Sequence, residues 1–210
     1  MTPPSTTGGV SRDVALVAVH YQNDVVHADG KLGAGVRRGG GSREELVRRA
    51  RRLLEGVRAL GVPVVSARIA FPAGHEGVVR NSPMFRAAVE SGALIEGSWG
   101  ADFHEDLQPR PGEPVVTHSR INVFFGSDLE QVLSSLGALR VVVAGVATHS
   151  AVEHTARHAA DLGYDVTVAA DACAAADPEL HAASLRALAL HVERVASVDE
   201  ILATLGRAGG

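Results

Sequence analysis

Two histidines stand where α/β enzymes place their chemistry. His20 directly follows the apolar run VALVAV (Val14 to Val19), and His118 directly follows a second apolar run, Pro114 to Thr117. Near neutral pH one imidazole can be protonated while its neighbour is not, so two that share a pocket supply an acid and a base whose titrations are coupled. A third stretch, VVVAGVATHSAVEHTARHAA (Val141 to Ala160), reads as a buried strand, a turn through Gly145, Val146 and Ala147, and a helix capped by Thr148 or Ser150. The free N–H groups and dipole of a helix start stabilise negative charge. The residue just inside this helix is Ala151, which cannot act as a nucleophile. The expectation is therefore proton-transfer chemistry run by His20 and His118, on a small substrate held by the N–H groups around Ser150 and Ala151.

Other residues near these strand ends have both a chemical and a plain reading. His149 would add a third imidazole, and zinc is commonly held by three histidines and a water. No H-x-H or H-E-x-x-H spacing occurs, so no metal is assigned and no cofactor is expected. Ser150 is a displaced nucleophile or, more simply, a cap hydroxyl. His154 and His158 lie four apart on the helix, with Val152, Thr155, Ala156 and Ala159 as its inward face, which turns the two histidines outward. Arg120 either pairs with a substrate carboxylate or is a solvated loop charge. Cys173 reads as buried packing.

The elements that must position these residues alternate. After the first strand a polar, Gly-rich loop runs from Tyr21 to Gly41 and holds Gln22, Asn23 and Asp24 near the strand end. Ser42 caps a helix with an apolar stripe of Leu46, Leu53, Leu54, Val57 and Leu60, ended by Gly61. Strands follow at Pro63 to Ile69, Pro114 to Thr117, Val141 onward, Asp165 to Ala170 and Arg194 to Val198. Helices lie at Ser82 to Ser91, Ser127 to Gly137, Thr148 onward, Pro178 to His191 and Asp199 to Leu205. This βαβ spacing predicts a three-layer α/β/α domain with a Rossmann-like, mostly parallel sheet of about six strands. In such sheets ligands bind at the carboxyl ends of the strands, so His20, His118 and the Ala147 to Ala151 turn converge if their strands are central neighbours.

The composition fits one globular domain over residues 14–206, behind a polar leader of residues 1–13 with no apolar signal core. A net charge of −4 argues against an extended nucleic-acid surface, and no apolar run approaches a membrane span. One cysteine in 210 residues excludes an internal disulfide and suggests a reducing, cytoplasmic setting.

Three segments carry a resemblance. ALVAVHYQNDVV is similar to the first strand and D-x-Q-N-D-F motif of the isochorismatase-like cysteine hydrolases, which include nicotinamidases and N-carbamoylsarcosine amidases. VVTHSRINVFFGSDLE is similar to their lysine-bearing strand and S-A-F-x-G-T-D-L segment, and VVVAGVATHSAVEHTARHAADLGYDVTVAADAC to their cysteine-bearing turn and helix. The order and spacing match over about Val14 to Val198. The resemblance implies an Asp-Lys-Cys triad, onto which His20, His118 and Ala151 fall, so all three members are replaced. It also implies that Trp99 and Phe124 line the pocket, that Asn23 is a motif residue, and that the chain is a homo-oligomer, most simply a dimer. Together these readings predict a hydrolase homologue lacking the cysteine nucleophile. It would use a His20/His118 acid–base pair on a small anionic or carbonyl-bearing metabolite, by hydrolysis, elimination, cyclisation or isomerisation. Asn23, Trp99, Arg120, Phe124, Thr148, His149 and Ser150 would contact that substrate. The alternative is a catalytically silent homologue that binds a ligand or a partner protein.

Overall fold

A computed structural model describes residues 13–33 and 43–208. Residues 1–12 of the expected leader, and Ser42 as a helix cap, lie outside the described residues. Six strands form one parallel sheet in the order β3-β2-β1-β4-β5-β6. They are β1 (Val14–Val19), β2 (Val64–Ile69), β3 (Val115–His118), β4 (Arg140–Val146), β5 (Asp165–Ala174) and β6 (Arg194–Ala196). Among the described residues seven α-helices accompany them: α1 (Asn23–Val26), α2 (Arg43–Ala59), α3 (Pro83–Ser91), α4 (Leu129–Ser135), α5 (Glu153–Asp161), α6 (Pro178–Leu188) and α7 (Val198–Ala208).

Strands β1, β2 and β4 are buried on both faces, which is why they read as nearly continuous apolar runs rather than as alternating patterns. Alternate residues of β1 nevertheless serve different layers. Val14, Leu16 and Ala18 pack with Leu46, Leu53, Leu54 and Val57 of α2 and with Ile201 and Leu205 of α7. Ala15, Val17 and Val19 pack with Leu129 and Leu133 of α4, Ala156 and Ala159 of α5, and Leu188 of α6. The three-layer α/β/α architecture follows from this period-two division.

Three local expectations are corrected. The stretch after β1 does not start as a loop, because Asn23–Val26 forms one fully buried helical turn. Strand β5 runs four residues beyond Ala170, past an irregularity in its pairing with β4 between Val143 and Gly145. Strand β3 is the edge strand, not a central neighbour of β1 and β4, since β2 lies between it and β1. No helix among the described residues is long and apolar enough to cross a membrane.

A candidate active site at the ends of β1, β3 and β4

His20 is the first residue past β1. Its backbone N–H donates to Ala67 O of β2 at 2.9 Å, and its φ of 57° lies in the left-handed region. That region is sterically costly for a residue with a Cβ, so the surrounding structure must hold it there. The residue turns the chain at the strand end, while His118 closes β3 opposite Ile69 of β2. The two imidazoles meet over the end of β2, with Nε2 to Nε2 at 2.7 Å, ring centroids 4.8 Å apart and ring planes within 19°. Among the described residues, no other side chain is hydrogen bonded to either ring.

At 2.7 Å one Nε2 carries the proton and the other offers its lone pair. His20 is 6% exposed and His118 3%. Burial is the main cause that holds His20 well below the usual imidazole range. The adjacent His118 adds to the depression, and the Val146 backbone partly opposes it. Burial likewise lowers His118 to about 4, against a weaker contrary pull from the Arg120 backbone. Among the described residues His118 Nδ1 has no well-aligned hydrogen-bond partner. At neutral pH this is a pair of neutral imidazoles joined by a hydrogen bond through one Nε2 proton, rather than an imidazole beside an imidazolium.

On the other side of β1, Gly145 pairs with Val19, and its φ is 146°. A Cβ there would fall 2.1 Å from Val19 O, so only glycine lets β4 pass this close to the strand that ends at His20. The Val146–Ala147 peptide is cis, and Thr148–Val152 forms a π-helical turn that runs into α5. The cap is Ala147, not Thr148 or Ser150, and no side chain caps it. The Thr148 hydroxyl is hydrogen bonded to His181 Nδ1 at 2.8 Å, and Thr148 O accepts from the Ser184 hydroxyl at 3.3 Å. Helix α6 thus fixes the turn that α5 grows from. The Ser150 N–H is committed to Ala147 O at 3.1 Å, which removes it from the expected anion-holding set. Ala151 is 4% exposed and packs with Val152 and Cys173 in the core beneath the turn. Burial pushes the Cys173 thiol up to about 12, which leaves it without nucleophilic character.

The remaining predicted residues are distributed around this centre. The Asn23 amide donates to Trp99 O at 2.8 Å, so its side chain is spent on holding a loop. Trp99 is 51% exposed and packs edge-on against His27. Phe124 stacks on His158, with centroids 5.0 Å apart. The Arg120 guanidinium lies 3.7 Å over the Phe85 ring and donates to Val79 O and Asn81 Oδ1. It therefore latches the loop after β3 onto the segment before α3. His149 is exposed, and His154 donates from Nδ1 to Ser150 O at 2.9 Å. Among the described residues no group of three or more His, Cys, Asp or Glu side chains is placed to hold a metal ion.

Two supporting residues were absent from the sequence-based set. Gln22 is fully buried; its amide donates to Ile69 O and Ala101 O, and its carbonyl accepts from Ile69 N. It thereby stitches the end of β2 to the residue after His20's neighbour Tyr21. A buried, uncharged polar residue just past a strand end was the available signal. His181 carried no such signal, because its contact with Thr148 depends on how α6 returns over the sheet.

The profile of the isochorismatase domain matches residues 14–200. The isochorismatase family protein YecD of Escherichia coli O157:H7 is 30% identical over 195 residues, covering 93% of this chain and 97% of that protein. The ureidoacrylate amidohydrolase RutB of Pseudomonas syringae pv. syringae is 29% identical over 213 residues, covering 94% and 85%. The crystal structure of an isochorismatase family protein from Desulfovibrio vulgaris superposes with a TM-score of 0.80 at 27% identity, covering 94% of this chain and all of that one. The family profile spans most of the chain and the relatives cover it nearly end to end, and the chain belongs to the isochorismatase family of hydrolase homologues.

Proposed function

We propose that this chain is a cysteine-independent hydrolase of its family, in which His20 and His118 move protons on a small carbonyl-bearing metabolite. The observation that carries the reading is the 2.7 Å Nε2–Nε2 contact, made by a histidine held at a positive φ. A strained backbone persists where surrounding structure over-determines it, and such residues cluster at functional sites. With Ala151 at the helix entry there is no side chain to form an acyl intermediate, so water is the attacking group. Both imidazoles are neutral, which makes one Nε2 lone pair the base once water displaces the partner's N–H. The water's proton passes to that nitrogen as its oxygen attacks the carbonyl, and the imidazolium then returns the proton to the leaving group. With the Ser150 and Val152 N–H groups committed to Ala147 O, the Ala151 N–H is the remaining expected donor for the developing oxyanion. The amidohydrolase named among the relatives favours an amide or ureide carbonyl as the group attacked.

A second reading is supported by the depth of the pair. His20, His118 and Ala151 are each no more than 6% exposed, so the side chains themselves occupy much of the centre. That suits a silent homologue that binds a ligand or partner elsewhere. A turnover screen of small amides, ureides and esters with the wild type, His20→Ala and His118→Ala separates the readings. Hydrolysis lost in both variants supports the enzyme, and undiminished hydrolysis in both sinks the histidine mechanism. No turnover of any member by the wild type supports the silent reading.

A further inference from the structure

A recess of about 360 Å³ lies between the segment after α1 and the first turns of α2, away from the His20–His118 contact. His27 and His104 line it with Arg43, Arg48 and Arg51. Both imidazoles accept a backbone N–H at Nδ1, His27 from Asp29 at 3.1 Å and His104 from Asp106 at 3.2 Å. That fixes the proton of each neutral ring on Nε2, so each presents a donor, and the ring centroids are 5.6 Å apart. His104 is only 8% exposed. Among the described residues its Nε2 has no hydrogen-bond partner.

Among the described residues the arginines retain donors for a further acceptor. Arg48 forks onto Glu45 through Nε and Nη2, which leaves Nη1. Arg51 uses Nε for Glu55 and Nη1 for Asp106, which leaves Nη2. The first turns of the 17-residue helix α2 bring Arg43, Val47, Arg48 and Arg51 to this recess. Two carboxylates also line the recess. Asp106 is held by Arg51, and Glu44 is exposed at the rim.

We propose that this recess binds a small phosphate-like oxyanion, clasped by the Nε2–H groups of His27 and His104 and the spare guanidinium edges of Arg48 and Arg51. Burial is the first cause lowering His104, His27 and Arg43 lower it further, and Asp106 and Glu105 oppose them. A bound oxyanion adds negative charge where these groups face one another and moves His104 back up. The site is separate from the His20–His118 pair and does not depend on the chain being a hydrolase.

The test is a titration of the whole chain with inorganic phosphate, and separately with glycerol phosphate, against chloride at matched ionic strength. It is followed by imidazole NMR and thermal unfolding. The site predicts saturable shifts confined to His27 and His104, an upward move of the His104 titration and a rise in Tm. It also predicts loss of all three in the paired variant Arg48→Gln/His27→Gln, in which Arg48 is exposed and His27 half-buried, with far-UV circular dichroism confirming that the variant is folded. Saturation by both ligands assigns the site to a terminal phosphoryl group, and saturation by inorganic phosphate alone to the free ion. Effects no larger than those of chloride, or unchanged in the paired variant, would overturn it.

Discussion

His20 and His118 belong to strands that do not touch, yet their Nε2 atoms meet at 2.7 Å across the end of β2. The contact exists because His20 leaves β1 at a φ of 57°, which swings its ring sideways over the intervening strand toward the last residue of β3. Both rings are buried, and both are held in the neutral form.

This burial makes stability depend on pH in a defined window. His118 has a folded pKa of about 4, below its ordinary 6.5, so the unfolded chain binds its proton first as pH falls. Stability from this group is complete above about 6.5 and is lost progressively down to about 4, by roughly 3 kcal/mol. His20 is lowered in the same direction and adds to the loss. Urea unfolding between pH 7.5 and 4.5 should show falling midpoints for the wild type and a shallower fall for His118→Gln. Parallel curves would count against a buried neutral pair.

The left-handed turn at His20 should be measurable as strain. Replacing it with Ala or Gly removes the same ring, but only Gly tolerates a φ of 57° without penalty. His20→Gly should therefore be more stable than His20→Ala by about 1 kcal/mol, reversing the usual order of these residues. Equal midpoints in chemical unfolding would mean that the turn relaxes when the ring is gone.

Gly145→Ala should be among the most damaging single-methyl changes in the chain. Its Cβ would fall 2.1 Å from Val19 O and would require a φ of 146° from an alanine. The expected loss is about 3 kcal/mol, with the β1 and β4 amides near the site losing protection from hydrogen exchange. Gly137→Ala makes a useful contrast, since a Cβ there meets nothing within 4 Å and only its φ of 67° is unfavourable.

Gln22→Ala removes three hydrogen bonds to backbone groups of the buried residues Ile69 and Ala101. A loss of about 3–5 kcal/mol is expected, measurable by denaturant unfolding. Asn23→Ala, which loses one bond to Trp99 O, should cost about 1–2 kcal/mol. A larger effect at Asn23 than at Gln22 would contradict the ranking.

Much of this was legible in the chain itself. Apolar runs such as VALVAV and VVVAGV mark buried parallel strands, and the positions that follow them, His20 and His118, are where the imidazoles meet. The inward face of α5, Val152, Thr155, Ala156 and Ala159, is buried as its helical spacing requires. What could not be read were contacts set by how loops fold back. Arg120 lies over Phe85, and Thr148 is tied to His181, because segments far apart in sequence pack together there. The cap after β4 was misread for a related reason. Thr148 and Ser150 are good cap residues by type, but a π-helical turn from Ala147 leaves neither in the cap position. The neutrality of the histidine pair was also hidden, since burial depth decides it and sequence shows only residue type.

The measurement that bears most directly on the account is a ¹⁵N-imidazole NMR titration of the wild type, His20→Ala and His118→Ala. His20 and His118 should remain neutral through pH 6, joined by one Nε2 proton between the rings. His118 should take up a second proton only near pH 4, and each resonance should change when the other histidine is removed. Two histidines that titrate independently at the ordinary value of about 6.5, and ignore each other's replacement, would contradict it.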